Sequence, residues 1–154
     1  VTRSLADLLT VYREEHAVEF TALALGNVYG PRQRSDGGVV AAFYEALRTG
    51  VTPMLHGDGR QTRDFLYIDD AVDALVRAAL KGSGLVVNVG TGVATSIRDL
   101  WALMAGPDYR QPAPSPRRTR EVARFAISPT RARIHLAWAP WTDLSVGLRG
   151  LGRS

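Results

Sequence analysis

Arg63 stands where a cation can meet a charged ligand. It follows the glycine-flanked turn Gly57-Asp58-Gly59 and precedes Asp64-Phe65-Leu66-Tyr67-Ile68-Asp69-Asp70. The β-branched and aromatic run after Asp64 predicts a short strand, and Asp69 or Asp70 predicts the N-cap of a helix over Ala71 to Leu80. Between turn and strand, a guanidinium can offer its planar fork to a phosphate while its stem stays packed. The alternative is a surface ion pair with Asp64 or Asp69, which contributes little to stability. Asn27 is a second candidate. The apolar run Phe20 to Leu25 predicts a buried parallel strand, and open α/β sheets place ligands at the C-terminal ends of such strands. Asn27 there either meets a ligand or closes the strand as an Asx-turn before Gly30-Pro31. Arginines at 117, 118, 120 and 124, and again at 131 and 133, suit a phosphate-rich ligand or form a solvated basic face.

These residues need a scaffold, and the periodicities supply one. Apolar residues at Leu5, Leu8, Leu9, Val11 and Tyr12 predict an amphipathic helix over Ser4 to Glu15. Val40, Phe43, Tyr44 and Leu47 predict the core stripe of a helix from Val39 to Arg48, ended by Gly50. Val72, Leu75, Val76 and Ala79 do the same for the helix stopped at Gly82-Ser83-Gly84. Leu85 to Val89 predicts a strand, and Ser96 with Asp99 has the form of a capping box opening a helix to Met104. Arg34 to Gly38 and Gly106 to Pro116 read as loops. Trp138 and Trp141 read as packing residues. Strands alternating with helices predict an α/β fold. Gly90-Thr91-Gly92 lacks the third glycine of a dinucleotide fingerprint and reads as a turn.

Composition narrows the function classes. The 154 residues, 45% of them hydrophobic, suffice for one domain with a real core. Without cysteine there is no disulfide, thiolate metal site or cysteine nucleophile. His16, His56 and His135 lack metal-ligand spacing. No apolar run spans a bilayer, so a soluble, cytoplasmic protein with no membrane partner is expected. The net charge of +4 and pI near 10 rest almost wholly on arginine, Lys81 being the lone lysine. Nucleic acid is not expected as a partner, because no helix-turn-helix, zinc or aromatic-interleaved RNA pattern accompanies that charge.

Three motifs occur in order: Asn27-Val28-Tyr29-Gly30-Pro31-Arg32-Gln33, then Gly57-Asp58-Gly59-x-Gln61-Thr62-Arg63-Asp64-Phe65-x-Tyr67-x-Asp69-Asp70, then Asn88-Val89-Gly90-Thr91-Gly92. Together they resemble the NAD-dependent nucleotide-sugar epimerase and dehydratase family, the extended short-chain dehydrogenases. The UDP-glucose 4-epimerases are the nearest branch; the alternatives are a dTDP-glucose 4,6-dehydratase-like enzyme or a non-catalytic nucleotide-sugar or protein-interaction module. The resemblance implies the C-terminal part of an extended Rossmann-type short-chain dehydrogenase, with its small substrate-binding domain, as a single region over residues 1–154. It implies a short strand at Met54 to His56, a helix over Arg131 to Trp138, NAD as cofactor, a UDP- or dTDP-linked sugar as substrate and a homodimer for the complete enzyme. By the same resemblance Asn27 bonds the nucleotide-sugar, His56 contacts the base, and Arg63 and Arg118 hold the diphosphate, with Arg124 a second candidate. Arg3 falls at the lysine position of the family's Tyr-x-x-x-Lys pair, whose tyrosine would precede residue 1. No catalytic residue is therefore assigned, and the NAD glycine loop is also missing, so the isolated chain is expected not to turn over. The sequence departs from the family at Ala24, Gly26, Arg120, Ser128 and Ala137. Open strand edges and uncovered apolar faces predict self-association.

Overall fold

A β-branched and apolar stretch seeks strand partners, and the first pair forms as expected, although its first strand is only partly buried and one face of the partner strand, with Val86 and Asn88, is exposed. In the computed structural model, which describes residues 2–34, 36–81, 83–107, 110–116 and 122–152, β1 (Thr21–Leu25) runs parallel to β6 (Leu85–Val89). One residue later the chain changes neighbour. β2 (Asn27–Tyr29) pairs in parallel with β5 (Phe65–Tyr67), Asn27 opposite Phe65. The change is made at Gly26, whose N–H donates to Val89 O at 2.9 Å, while Asn27 N–H donates to Asp64 O at 2.7 Å.

Side-chain alternation along β2 and β5 divides the interior in two. Val28 and Leu66 face Val87, Val89, Ala71, Ala74, Ala132, Leu136 and Trp138. Tyr29 and Phe65 face Val40, Phe43, Leu55, Ile97, Leu100, Trp101 and Leu151. Helices α1 (Thr2–His16), α2 (Val39–Thr49), α3 (Ile68–Leu80) and α4 (Ile97–Ala105) lie where the periodicities put them. Gly50 ends α2 in the left-handed region at φ 71°, and the Ser96 side chain accepts from Asp99 N–H at 3.0 Å to cap α4. The chain closes with α5 (Thr130–Leu136) and α6 (Leu144–Gly150).

Several expectations need correction. Tyr67, not an aspartate, occupies the N-cap of α3, and the Asp70 carboxylate turns inward to accept from Thr142 N–H at 3.1 Å and Thr142 Oγ1 at 2.8 Å. The buried face of α3 is Asp70, Ala71 and Ala74, whereas Val72, Leu75 and Val76 are about half exposed. Small side chains let α3 approach the sheet closely, which the larger apolar residues cannot do. In α2, Ala41 and Ala46 are buried with Val40 and Phe43, and Tyr44 and Leu47 face outward. The proline-rich segment from 106 to 116 is not wholly loop, because β8 (Ala113–Ser115) runs parallel to β3 (Met54–His56). Trp141 is exposed, while Trp138 is buried.

Ala137 caps α5 at φ 50°, ψ 39°, a left-handed conformation that disfavours any residue with a Cβ. Ala137→Gly should therefore raise stability by about 0.5–1 kcal/mol, the relieved strain exceeding the added unfolded-state entropy. A lower melting midpoint for that variant would contradict the strain.

Tyr29 lies 2% exposed, its Oη donating to Leu144 O at 3.4 Å, with Phe65 and Tyr67 edge-on beside it. Burial first, then the charges of Tyr67 and Asp70, push its phenol far above the usual value of 10.0. The fold thus holds this proton more tightly than the unfolded chain does. Its contribution is intact below the unfolded pKa and is lost as pH rises from there toward the folded pKa. Tyr29→Phe should flatten the alkaline limb of a stability–pH curve. An unchanged limb would show that other groups set it.

Candidate functional site

Gly57 and Gly59 adopt φ of 68° and 73°, and Asp58 Oδ1 accepts from Arg60 N–H at 3.0 Å, so the Gly-Asp-Gly turn is held by an Asx bond. That bond, with Arg60 and Arg98 nearby, holds the Asp58 carboxyl below its usual range. The turn separates His56, at the end of β3, from Arg63 in β4 (Thr62–Arg63), which pairs antiparallel with β7 (Thr95–Ser96). Gln61 Nε2 donates to His56 O at 2.9 Å and closes the loop across its base.

Around this turn the segment before α5 is fastened twice. Pro116 O lies 3.4 Å from His56 Nδ1, and Gly57 N–H donates to Ser115 O at 2.9 Å. Farther on, Arg63 Nη1 donates to Val122 O at 2.7 Å and to Thr62 O at 2.8 Å. Thr62 N–H donates to Ala123 O at 3.0 Å, and Thr62 Oγ1 accepts from Phe125 N–H at 3.3 Å. The stretch that contains Arg118 therefore leaves beside His56 and returns beside Arg63. Arg118 itself lies outside the described residues, as does the side chain of Arg3 in the first turn of α1. Arg124 is exposed on the returning stretch. Asn27 is exposed at the start of β2, one hydrogen bond from Asp64 and so adjacent to Arg63 in the backbone. His56, Arg63 and Asn27 thus share one end of the fold. A cleft of about 300 Å³ lies beyond the other end of β2, between Gly30–Gln33 and α2, lined in part by Val40, Tyr44 and Leu151. Asn27, His56 and Arg63 do not line it.

Asp64 is the residue that sequence reasoning missed. It was a candidate partner for Arg63, yet it is fully buried with its carboxylate aimed at amides. Oδ1 accepts from Thr91 N–H at 2.8 Å and Thr91 Oγ1 at 2.7 Å, and Oδ2 accepts from Gly92 N–H at 3.0 Å and Ile127 N–H at 2.9 Å. The one signal in the sequence was a carboxylate set directly before an apolar strand. The same bonds fix the meaning of Gly90-Thr91-Gly92. The Thr91 and Gly92 amides are committed to an internal carboxylate, so this turn does not fit a dinucleotide pyrophosphate.

A sequence profile of the NAD dependent epimerase/dehydratase family matches residues 3–90, more than half of the chain. A UDP-glucose 4-epimerase of Mycolicibacterium smegmatis is 44% identical over 147 residues, which cover 91% of this chain and 46% of the relative. A dTDP-glucose 4,6-dehydratase of Streptomyces griseus is 30% identical over 152 residues, covering 96% of this chain and 46% of the relative. Among solved structures, UDP-glucose 4-epimerase of Thermotoga maritima with UDP-glucose superposes with a TM-score of 0.89 at 36% identity, over 96% of this chain and 49% of that one. The chain spans about half the length of the curated relatives it matches.

Proposed function

Because the chain belongs to the NAD dependent epimerase/dehydratase family, we propose that it supplies the nucleotide-sugar-holding share of an epimerase of the UDP-glucose 4-epimerase kind. The observation that carries this reading is the gathering of His56, Arg63 and Asn27 at one end of the fold, with both anchors of the Arg118 stretch between them. Arg63 and Arg118 would clamp the diphosphate, a task suited to planar guanidinium forks. Asn27 would bond the nucleotide-sugar, and the His56 ring would lie against the base. In the complete family enzyme NAD supplies a hydride acceptor and donor for transient oxidation at the sugar's C4. The Gly90 turn does not fit NAD, because the Thr91 and Gly92 amides are taken by Asp64. The 154 residues alone are proposed to bind without turnover.

Calorimetric titration with UDP-glucose tests the reading. Saturable binding, with glucose itself giving no signal, is the expected result; no binding by a demonstrably folded chain would overturn it. A second reading, a dTDP-glucose 4,6-dehydratase-like protein, is favoured by the Streptomyces griseus relative. Tighter binding of dTDP-glucose than of UDP-glucose would move it ahead.

Assembly belongs to the same proposal. Leu5, Leu8, Val11 and Tyr12 on α1 are 45–55% exposed, and Val72, Leu75 and Val76 on α3 add a second apolar face. Faces of this kind are normally covered. Light scattering should find a dimer or larger species, and a monomer at all concentrations would refute the assembly.

A further inference from the structure

We propose that Asp64 is the positioning residue of this site, a buried carboxylate that fixes the relative placement of Asn27, Arg63 and the stretch downstream of Arg118. A carboxylate taken wholly out of water is costly unless every oxygen finds donors. Asp64 finds them on two separate segments, Thr91 and Gly92 beyond β6 and Ile127 before α5. Its carbonyl takes the Asn27 N–H as well. Asp64 is also the residue at which the chain changes direction of pairing. Arg63 before it belongs to the antiparallel β4–β7 pair, and Phe65 after it belongs to the parallel β5–β2 pair. The orientation of β4, and with it the origin of the Arg63 side chain, is set by what holds residue 64.

The space for Asp64 is made by two missing side chains, at Gly90 for its carboxylate and at Gly26 for its main-chain carbonyl. A Cβ at Gly90 would lie 2.8 Å from Asp64 Oδ2 and 2.9 Å from Ile127 Cβ, and one at Gly26 would lie 3.0 Å from Asp64 O. The returning stretch is therefore held by Thr62 and Arg63 at Val122–Phe125 and by Asp64 at Ile127. Loss of the second anchor frees the first. Asp70 offers a comparison, since it is equally buried but bonds Thr142 in the C-terminal segment.

The functional consequence rests on the nucleotide-sugar reading; the structural consequence does not. Asp64→Asn, Gly90→Ala and Asp70→Asn would each be examined by UDP-glucose titration and by amide hydrogen exchange. Asn at 64 sets an amide NH2 against N–H donors, which costs stability at the anchor, and the misplacement of Arg63 and Asn27 that follows is expected to weaken binding about tenfold. Asp64→Asn should show that loss, together with faster exchange at Asn27, Thr62 and Phe125 than its global stability explains. Gly90→Ala, which displaces the carboxylate without removing it, should reproduce both effects and decides the matter if Asp64→Asn does not fold. Asp70→Asn should lower the melting midpoint while leaving affinity and those three amides as in the parent. Parent-like affinity in a folded Asp64→Asn, or unchanged protection at Thr62 and Phe125, would overturn the proposal. If the parent itself ignores UDP-glucose, the functional reading falls, and the exchange data alone decide the role of Asp64.

Discussion

Arg63→Ala is expected to reduce UDP-glucose binding by at least about thirtyfold, which corresponds to the 2 kcal/mol or more typical of truncating one partner of a desolvated charge pair. The side chain is half-buried, and its Nη1 is held by the carbonyls of Thr62 and Val122, so the guanidinium is oriented before any ligand arrives. Orientation in advance lowers the entropic cost of binding and makes the loss on truncation large. Arg63→Lys keeps the charge but loses the fork, and it should recover only part of the affinity. Thermal unfolding of both variants should stay near the parent, because the side chain is partly exposed and its bonds to Thr62 O and Val122 O are to partly exposed carbonyls. Affinity within twofold of the parent for a folded Arg63→Ala would remove the diphosphate role from this residue.

Trp138→Ala should cost about 3–5 kcal/mol, the range for deleting a large aromatic from a packed core. Its ring is 1% exposed among Leu66, Val87, Val89, Ala132 and Leu136. Its Nε1 donates to Asp70 O at 2.9 Å, which ties the end of α5 to the first turn of α3. Since the net stability of a domain is about 5–15 kcal/mol, the variant should unfold at a much lower denaturant concentration. Trp138→Phe keeps most of the buried area and loses the hydrogen bond, and a cost of about 1–2 kcal/mol is expected. Trp141 is 59% exposed, and Trp141→Ala should change stability by no more than about 0.5 kcal/mol. Equal costs at the two tryptophans would contradict the packing described.

Local chemistry accounts for what could be read early. Gly50 and Ser96 end and begin helices as their types require, because a left-handed C-cap and a side-chain N-cap are decided within a few residues. The strands at Thr21–Leu25 and Leu85–Val89 follow from uninterrupted apolar and β-branched runs. The motifs around Asn27, Arg63 and Gly90 pointed to the family that the profile match shows. His56, Arg63 and Asn27 were chosen from those motifs, and their proximity is a property of the fold.

Other features have causes far along the chain. Which face of α3 is buried depends on the closeness of the sheet, and the larger apolar residues that suggested the opposite face remain outside. β8 exists because β3 offers it a parallel edge, which a proline-containing stretch does not announce. The two buried aspartates are the clearest case. Asp64 meets its partners 27, 28 and 63 positions away, and Asp70 meets Thr142 at a separation of 72. By itself the sequence determined the first four helices, the principal strands and the family, since those depend on neighbours within a turn or on motif order. Only the tertiary structure decided that Asp64 and Asp70 would be buried anchors, because a carboxylate can leave water only where distant amides and hydroxyls converge to receive it.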